Sequence, residues 1–133
     1  MLRAVTTNDL EEIITLLKKG FGVDSTIDPK YGYNALQLAA VTNHFPLIEL
    51  LVMRGANINK TDQYGNTPLM LAVTNRNHEA IHSLLRNGAD PSLANNYGLK
   101  PQDKASSLNI KQFLINYTPN NRAFPKFIVR LQF

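Results

Sequence analysis

Apolar residues fall in short clusters along this chain, and the clusters recur. Leu69, Leu71, Ala72 and Val73 form one. Ile81, Leu84 and Leu85 form the next, spaced as one face of a helix. The polar stretch Asn75-Arg76-Asn77 separates them, so the pattern predicts two short helices and a turn. Thr67 is placed to cap the first helix, and Pro68 occupies its first position, where a missing N–H costs nothing. Gly88 follows the second helix, as a left-handed C-terminal position requires. The same plan stands 33 residues earlier, where Leu36, Leu38, Ala39, Ile48 and Leu51 match Leu69, Leu71, Ala72, Ile81 and Leu84. Tyr31-Gly32, Tyr64-Gly65 and Tyr97-Gly98 mark the period again, each 33 residues from the last. Repetition at this length predicts an all-α solenoid, each unit burying its apolar face on its neighbours. Four helix-turn-helix repeats fit, at about 1–30, 31–63, 64–96 and 97–118.

The end units read as caps. Unit one opens in helical pattern with Leu2, Ala4 and Val5, then Leu10, Ile13, Ile14, Leu16 and Leu17. Arg3 falls where unit two has Leu38, and Lys104 where unit three has Leu71. A charge at an otherwise apolar position belongs on a face that meets water, as terminal repeats need. The expectation is a complete short solenoid with capped ends. After the turn Thr118-Pro119-Asn120-Asn121, residues 119–133 form a separate tail. Phe127, Val129, Leu131 and Phe133 alternate there with Ile128, Arg130 and Gln132, a strand pattern with one apolar face. Three readings stand: the tail covers the last unit, it anchors a partner through Lys126, Phe127, Arg130 and Phe133, or it is disordered, against which its apolar content argues.

The segments Gly65-Asn66-Thr67-Pro68-Leu69-Met70-Leu71-Ala72, Gly55-Ala56-Asn57-Ile58-Asn59 and Gly88-Ala89-Asp90-Pro91 resemble the ankyrin repeat family. The resemblance covers residues 1 to about 118. The family's Thr-Pro-Leu-His reads Asn34-Ala35-Leu36-Gln37 in unit two and Thr67-Pro68-Leu69-Met70 in unit three. The crossing loop from Gly20 to Tyr31 is two residues longer than its counterparts. The resemblance implies a concave surface, made of hairpin tips and first helices, that grips other proteins. Carried onto this chain, the tip residues are Tyr31 and Tyr33, then Gln63, Tyr64 and Asn66, then Asn96, Tyr97 and Leu99. The first helices would add Gln37, Val41 and Thr42, then Met70, Thr74 and Asn75, then Ser107 and Leu108. Tyr31, Tyr64 and Tyr97 would form an aromatic ladder, or each would pack on its own hairpin.

Composition narrows the function further. The chain has 133 residues, 44% of them hydrophobic, and neither cysteine nor tryptophan. Without cysteine there is no disulfide framework, thiolate zinc site or thiol nucleophile. The longest apolar runs are a few residues, far short of the ~20 that span a membrane. The N-terminus lacks a signal peptide's apolar core, so a cytoplasmic or nuclear location is expected. Residues 1–96 carry 8 basic and 9 acidic side chains, whereas residues 97–133 carry 6 basic and only Asp103 on the acidic side. That asymmetry favours an acidic partner at the C-terminal end.

One catalytic pattern occurs by spacing. His78-Glu79-Ala80-Ile81-His82 satisfies His-Glu-x-x-His, which on a helix aims two imidazoles at one zinc. A catalytic zinc needs a third ligand, and the remaining histidine, His44, falls at a neighbouring repeat position. Glu79 is equally explained as a favourable first-turn acid of the second helix. Met53 and Met70 fall at core or near-core helix positions. No phosphate-binding glycine loop or nucleophile turn is present. The expectation is therefore an interaction module without catalysis, metal or cofactor: an adaptor, inhibitor or accessory subunit, monomeric or within a complex. The alternative is a binder of nucleic acid or another polyanion through the basic end, supported by Phe124, Phe127 and Phe133 among its charges.

Overall fold

The computed structural model describes Leu2 and residues 10–117. Seven α-helices lie among them: α1 (Leu10–Lys18), α2 (Ala35–Val41), α3 (Phe45–Met53), α4 (Pro68–Thr74), α5 (His78–Arg86), α6 (Pro101–Lys104) and α7 (Leu108–Asn116). The strand pattern at 127–133, the cap residue Arg3 and the candidate contacts Lys126, Phe127, Arg130 and Phe133 lie outside the described residues.

Local chemistry sets the helix starts. Asn34 Oδ1 accepts the Gln37 N–H and Gln37 Oε1 accepts the Asn34 N–H, both at 2.8 Å, a reciprocal capping box ahead of α2. Thr67 Oγ1 accepts the Met70 N–H at 3.3 Å, with Pro68 opening α4 as expected. Helix α5 carries Glu79 in its first turn and Arg86 in its last, each favourable to the helix dipole.

The helices pair as α2 with α3, α4 with α5 and α6 with α7, and successive pairs stack: α2 on α4, α4 on α6, and α3 on α5. One apolar core therefore runs the length of the stack, from Ile13 to Leu114. Leu36, Leu47, Ile48, Leu51, Leu69, Met70 and Leu84 have no exposed surface at all.

Polar side chains bridge the repeats as regularly as apolar ones. Asn77 Nδ2 donates to the carbonyls of Ala40 and Val41, both at 2.8 Å. Those carbonyls end α2 and lack helical partners, so one amide answers two orphan acceptors. In return, Asn43 Oδ1 accepts the Ala80 N–H at 3.0 Å, and Asn43 Nδ2 donates to Glu79 at 2.9 Å. The turn of one repeat thereby caps the second helix of the next. In the loops, Asp24 accepts the Asn57 N–H at 3.0 Å and Asn59 accepts the Asp90 N–H at 3.1 Å.

Two expectations need correction. Met53 is 82% exposed and lies outside the core. Two residues past the buried Leu51, it has rotated roughly 200° away from the packed face. The fourth repeat is also shorter than the period implies. Helix α5 begins ten residues after α4, but α7 begins seven residues after α6. The first helix of this repeat is only four residues long, and Ser107 and Leu108 consequently open the second helix instead of lining the first. The shortening leaves a cleft of ≈ 300 Å³ beside Val73, Ile81, Ser107 and Ile110.

Candidate functional site

Each hairpin tip is folded around one acceptor side chain. Asp28 accepts the N–H groups of Lys30 and Tyr31, both at 3.1 Å. Asp62 Oδ1 accepts those of Tyr64 and Asn66, both at 2.9 Å. Asn95 Oδ1 accepts those of Tyr97 and Leu99, at 2.9 and 3.0 Å. Satisfying two backbone donors from one side chain fixes the turn, so each tyrosine leaves a defined backbone.

The tips are also tied together. The Asn96 N–H donates to the Tyr64 carbonyl at 3.0 Å, and Asn96 Nδ2 to the Gln63 carbonyl at 3.3 Å. Beneath them Asn95 Nδ2 donates to Asn66 Oδ1 at 2.9 Å. Gln63, Asn66 and Asn96 are thus brought into one network that fixes the second tip against the third.

Tyr31 and Tyr64 are each 49% exposed and Tyr97 is 71% exposed. Among the described residues no ring stack or cation–π contact involves Tyr64 or Tyr97. Tyr31 differs: its ring stacks on Tyr33 with centroids 5.7 Å apart, and Lys30 Nζ lies 4.9 Å from it. Tyr31 thus packs on its own hairpin, and Tyr64 and Tyr97 make no such stack. Tyr33 is half-buried against the core, and burial pushes its phenol pKa up, helped by the Asp62 and Asp28 carboxylates. Leu99, Thr74 and Asn75 are exposed, although Asn75 Nδ2 is committed to the Leu71 carbonyl at 2.7 Å.

Gln37 and Met70 do not belong to this surface. Both are buried, at 2% and 0% exposure. Gln37 combines its capping role with a 3.0 Å bond from Nε2 to the Lys60 carbonyl. Met70 fills the core directly behind the Thr67 cap.

The His-Glu-x-x-His residues are absorbed by packing. Glu79 is held by Asn43, and that hydrogen bond keeps its carboxyl below the usual range. His82 stacks on Phe113 with centroids 6.1 Å apart. Among the described residues no three His, Asp or Glu side chains converge as a metal site.

Burial lowers the pKa of His44, His78 and His82. A base whose folded pKa lies below its unfolded value destabilises the fold when protonated. The stability is complete above the unfolded imidazole value, about 6.5, and falls as pH drops from there through the folded values. The Glu79 carboxyl adds a loss of the same sign at lower pH, as it protonates. The melting temperature should therefore hold down to about pH 6.5 and decline from there toward about pH 5 when followed by circular dichroism. A flat or rising profile would contradict the burial of these imidazoles.

Comparison with known proteins places this architecture. The family model described as ankyrin repeats (3 copies) matches residues 1–95. Over 57 residues the chain is 39% identical to the ankyrin repeat, SAM and basic leucine zipper domain-containing protein 1 of Carollia perspicillata. That match covers 43% of this chain and 12% of the relative. The crystal structure of the ankyrin repeat domain of Bcl-3, described as a unique member of the IkappaB protein family, is similar with a TM-score of 0.77 and 31% identity. It covers 85% of this chain and 49% of that one, so the chain spans only part of either relative.

Proposed function

Because this chain belongs to the ankyrin repeat family, we propose that it is a non-catalytic interaction module that grips a partner protein through its tips and first-helix surface. The observation that carries this reading is the pair of exposed tyrosines, Tyr64 and Tyr97, on tips locked to each other by Asn96. Tyrosine buries a large area with few rotors and keeps a polar end, so a rigid pair is a good anchor. Leu99 adds apolar surface on the third tip, and Thr74 and Asn75 add exposed polar surface at the far end of α4. Its role is that of an adaptor, inhibitor or accessory subunit.

The test compares wild type with the double variant Tyr64→Ser/Tyr97→Ser in affinity capture from extract. Both rings are exposed, so the variant should melt as wild type does while losing its captured protein at least about ten-fold. Undiminished capture by the variant would refute the tip surface as the binding site. The reading of a polyanion binder rests on the basic residues from Lys100 onward, three of which, Lys100, Lys104 and Lys111, are described. It predicts binding that collapses with added salt and is indifferent to the tyrosines.

A further inference from the structure

Helices α3, α5 and α7 are each nine residues long, so they correspond position by position. In the inner repeats, the fourth, fifth and eighth positions form the face on which the following repeat stacks. Ile48 and Ile81 at the fourth position are buried. At the fifth, Glu49 pairs with Arg86 of the next repeat, and His82 stacks on Phe113. At the eighth, Leu85 is buried and its carbonyl accepts the Tyr117 hydroxyl at 3.1 Å.

On α7 the same face reads Lys111, Gln112 and Ile115, preceded by Leu108 at the first position. Leu108 is 69% and Ile115 46% exposed, and Lys111 and Gln112 are exposed beside them. A buried isoleucine of the inner repeats has thus become a lysine between two uncovered apolar residues. Helix α7 itself carries no carboxylate, and the nearest acid in sequence among the described residues, Asp103, accepts the Lys100 N–H at 2.9 Å.

We propose that this outer face of α7 is a docking surface for an acidic amphipathic helix of a partner protein. Leu108 and Ile115 are seven residues apart, two turns along one line of the helix, which matches a helix laid lengthwise on them. The molecule's own junctions are the template, because helix on helix is how this face is covered between α3 and α5. There the opposing surface meets an isoleucine. Here it meets the exposed Lys111, so it must bring carboxylates. A two-fold pairing with a second copy of the chain fits poorly, since it would set one Lys111 face against another. The tips take no part, so this proposal stands or falls independently of them.

The test is a titration of the isotope-labelled full chain with a synthetic amphipathic peptide of Leu, Ala and Glu, three heptads long, read by amide chemical shifts. The expected shifts centre on residues 108–116. Lys111→Glu should weaken binding at least about ten-fold and Lys111→Gln by less, while Lys60→Glu, the same charge change on a distant exposed loop, should leave it intact. Equal binding by Lys111→Glu, or shifts centred on the tips, would overturn the proposal. So would equal competition by a single-stranded oligonucleotide, which would mark a general polyanion surface. Close contacts from residues 122–133 to Leu108 and Ile115 in the free chain would overturn it too, because the chain's own tail would then hold the site.

Discussion

Leu84→Ala is expected to lower the unfolding free energy by roughly 2–5 kcal/mol. Leu84 is completely buried in α5, the second helix of the third repeat. Truncation removes about three methylene-sized groups from water-free packing and leaves a void that neighbours on both sides cannot close. A domain of this size has a net stability of about 5–15 kcal/mol, so this one cavity takes a large share. Stacked repeats gain stability from their interfaces, and a loss in the third repeat also loosens the fourth. Leu108→Ala is the matched control: the same truncation at a 69% exposed site should change stability by no more than about 0.5 kcal/mol. Urea midpoints for the two variants check the pair. Similar midpoints would mean that the described core does not carry the fold.

Gly65→Ala and Gly98→Ala should differ sharply, although both glycines follow a tip tyrosine. Their φ angles, +79° and +76°, are left-handed, so a side chain costs each about 1–2 kcal/mol. At Gly98 nothing lies within 4 Å of the added Cβ. At Gly65 it would collide with Asn96 Oδ1 and sit 2.8 Å from the Asn96 nitrogen. The side chain can rotate away, but the backbone nitrogen cannot without breaking its bond to the Tyr64 carbonyl. Gly65→Ala should therefore cost a further ~1–3 kcal/mol from overpacking. It should also displace Tyr97 relative to Tyr64, weakening capture beyond the loss of stability. Equal melting temperatures for the two variants would show that the tips are not in contact.

Much of this was legible in the chain, for specific physical reasons. The 33-residue period located the helices, because Thr67-Pro68 and the glycines act locally and the apolar spacing needs no knowledge of neighbours. Burial at single positions was less legible. Gln37 reads as a polar groove residue, but a capping box and the Lys60 carbonyl satisfy its amide inside the protein. Of the two methionines read as core or near-core, Met70 is buried and Met53 is not, because helix phase decides which one faces the core. The three-residue shortening of the fourth repeat is hidden in the sequence because Tyr97, Pro101 and Ala105 keep the period up to the point of the deletion. The bridging amides of Asn43, Asn59 and Asn77 were missed as well. The period carries no sign of them, because the positions 33 residues from Asn43, Asn59 and Asn77 hold Arg76, Ser92 and His44.

The central claim is that the paired tips form the face that holds a partner. Hydrogen exchange on the complex recovered by affinity capture tests it most directly, compared peptide by peptide with the free chain. The account predicts slowed exchange at residues 62–66 and 95–99, with adjoining protection at Thr74 and Asn75. Protection confined to α3 and α5, with the tips exchanging as in the free chain, would contradict it.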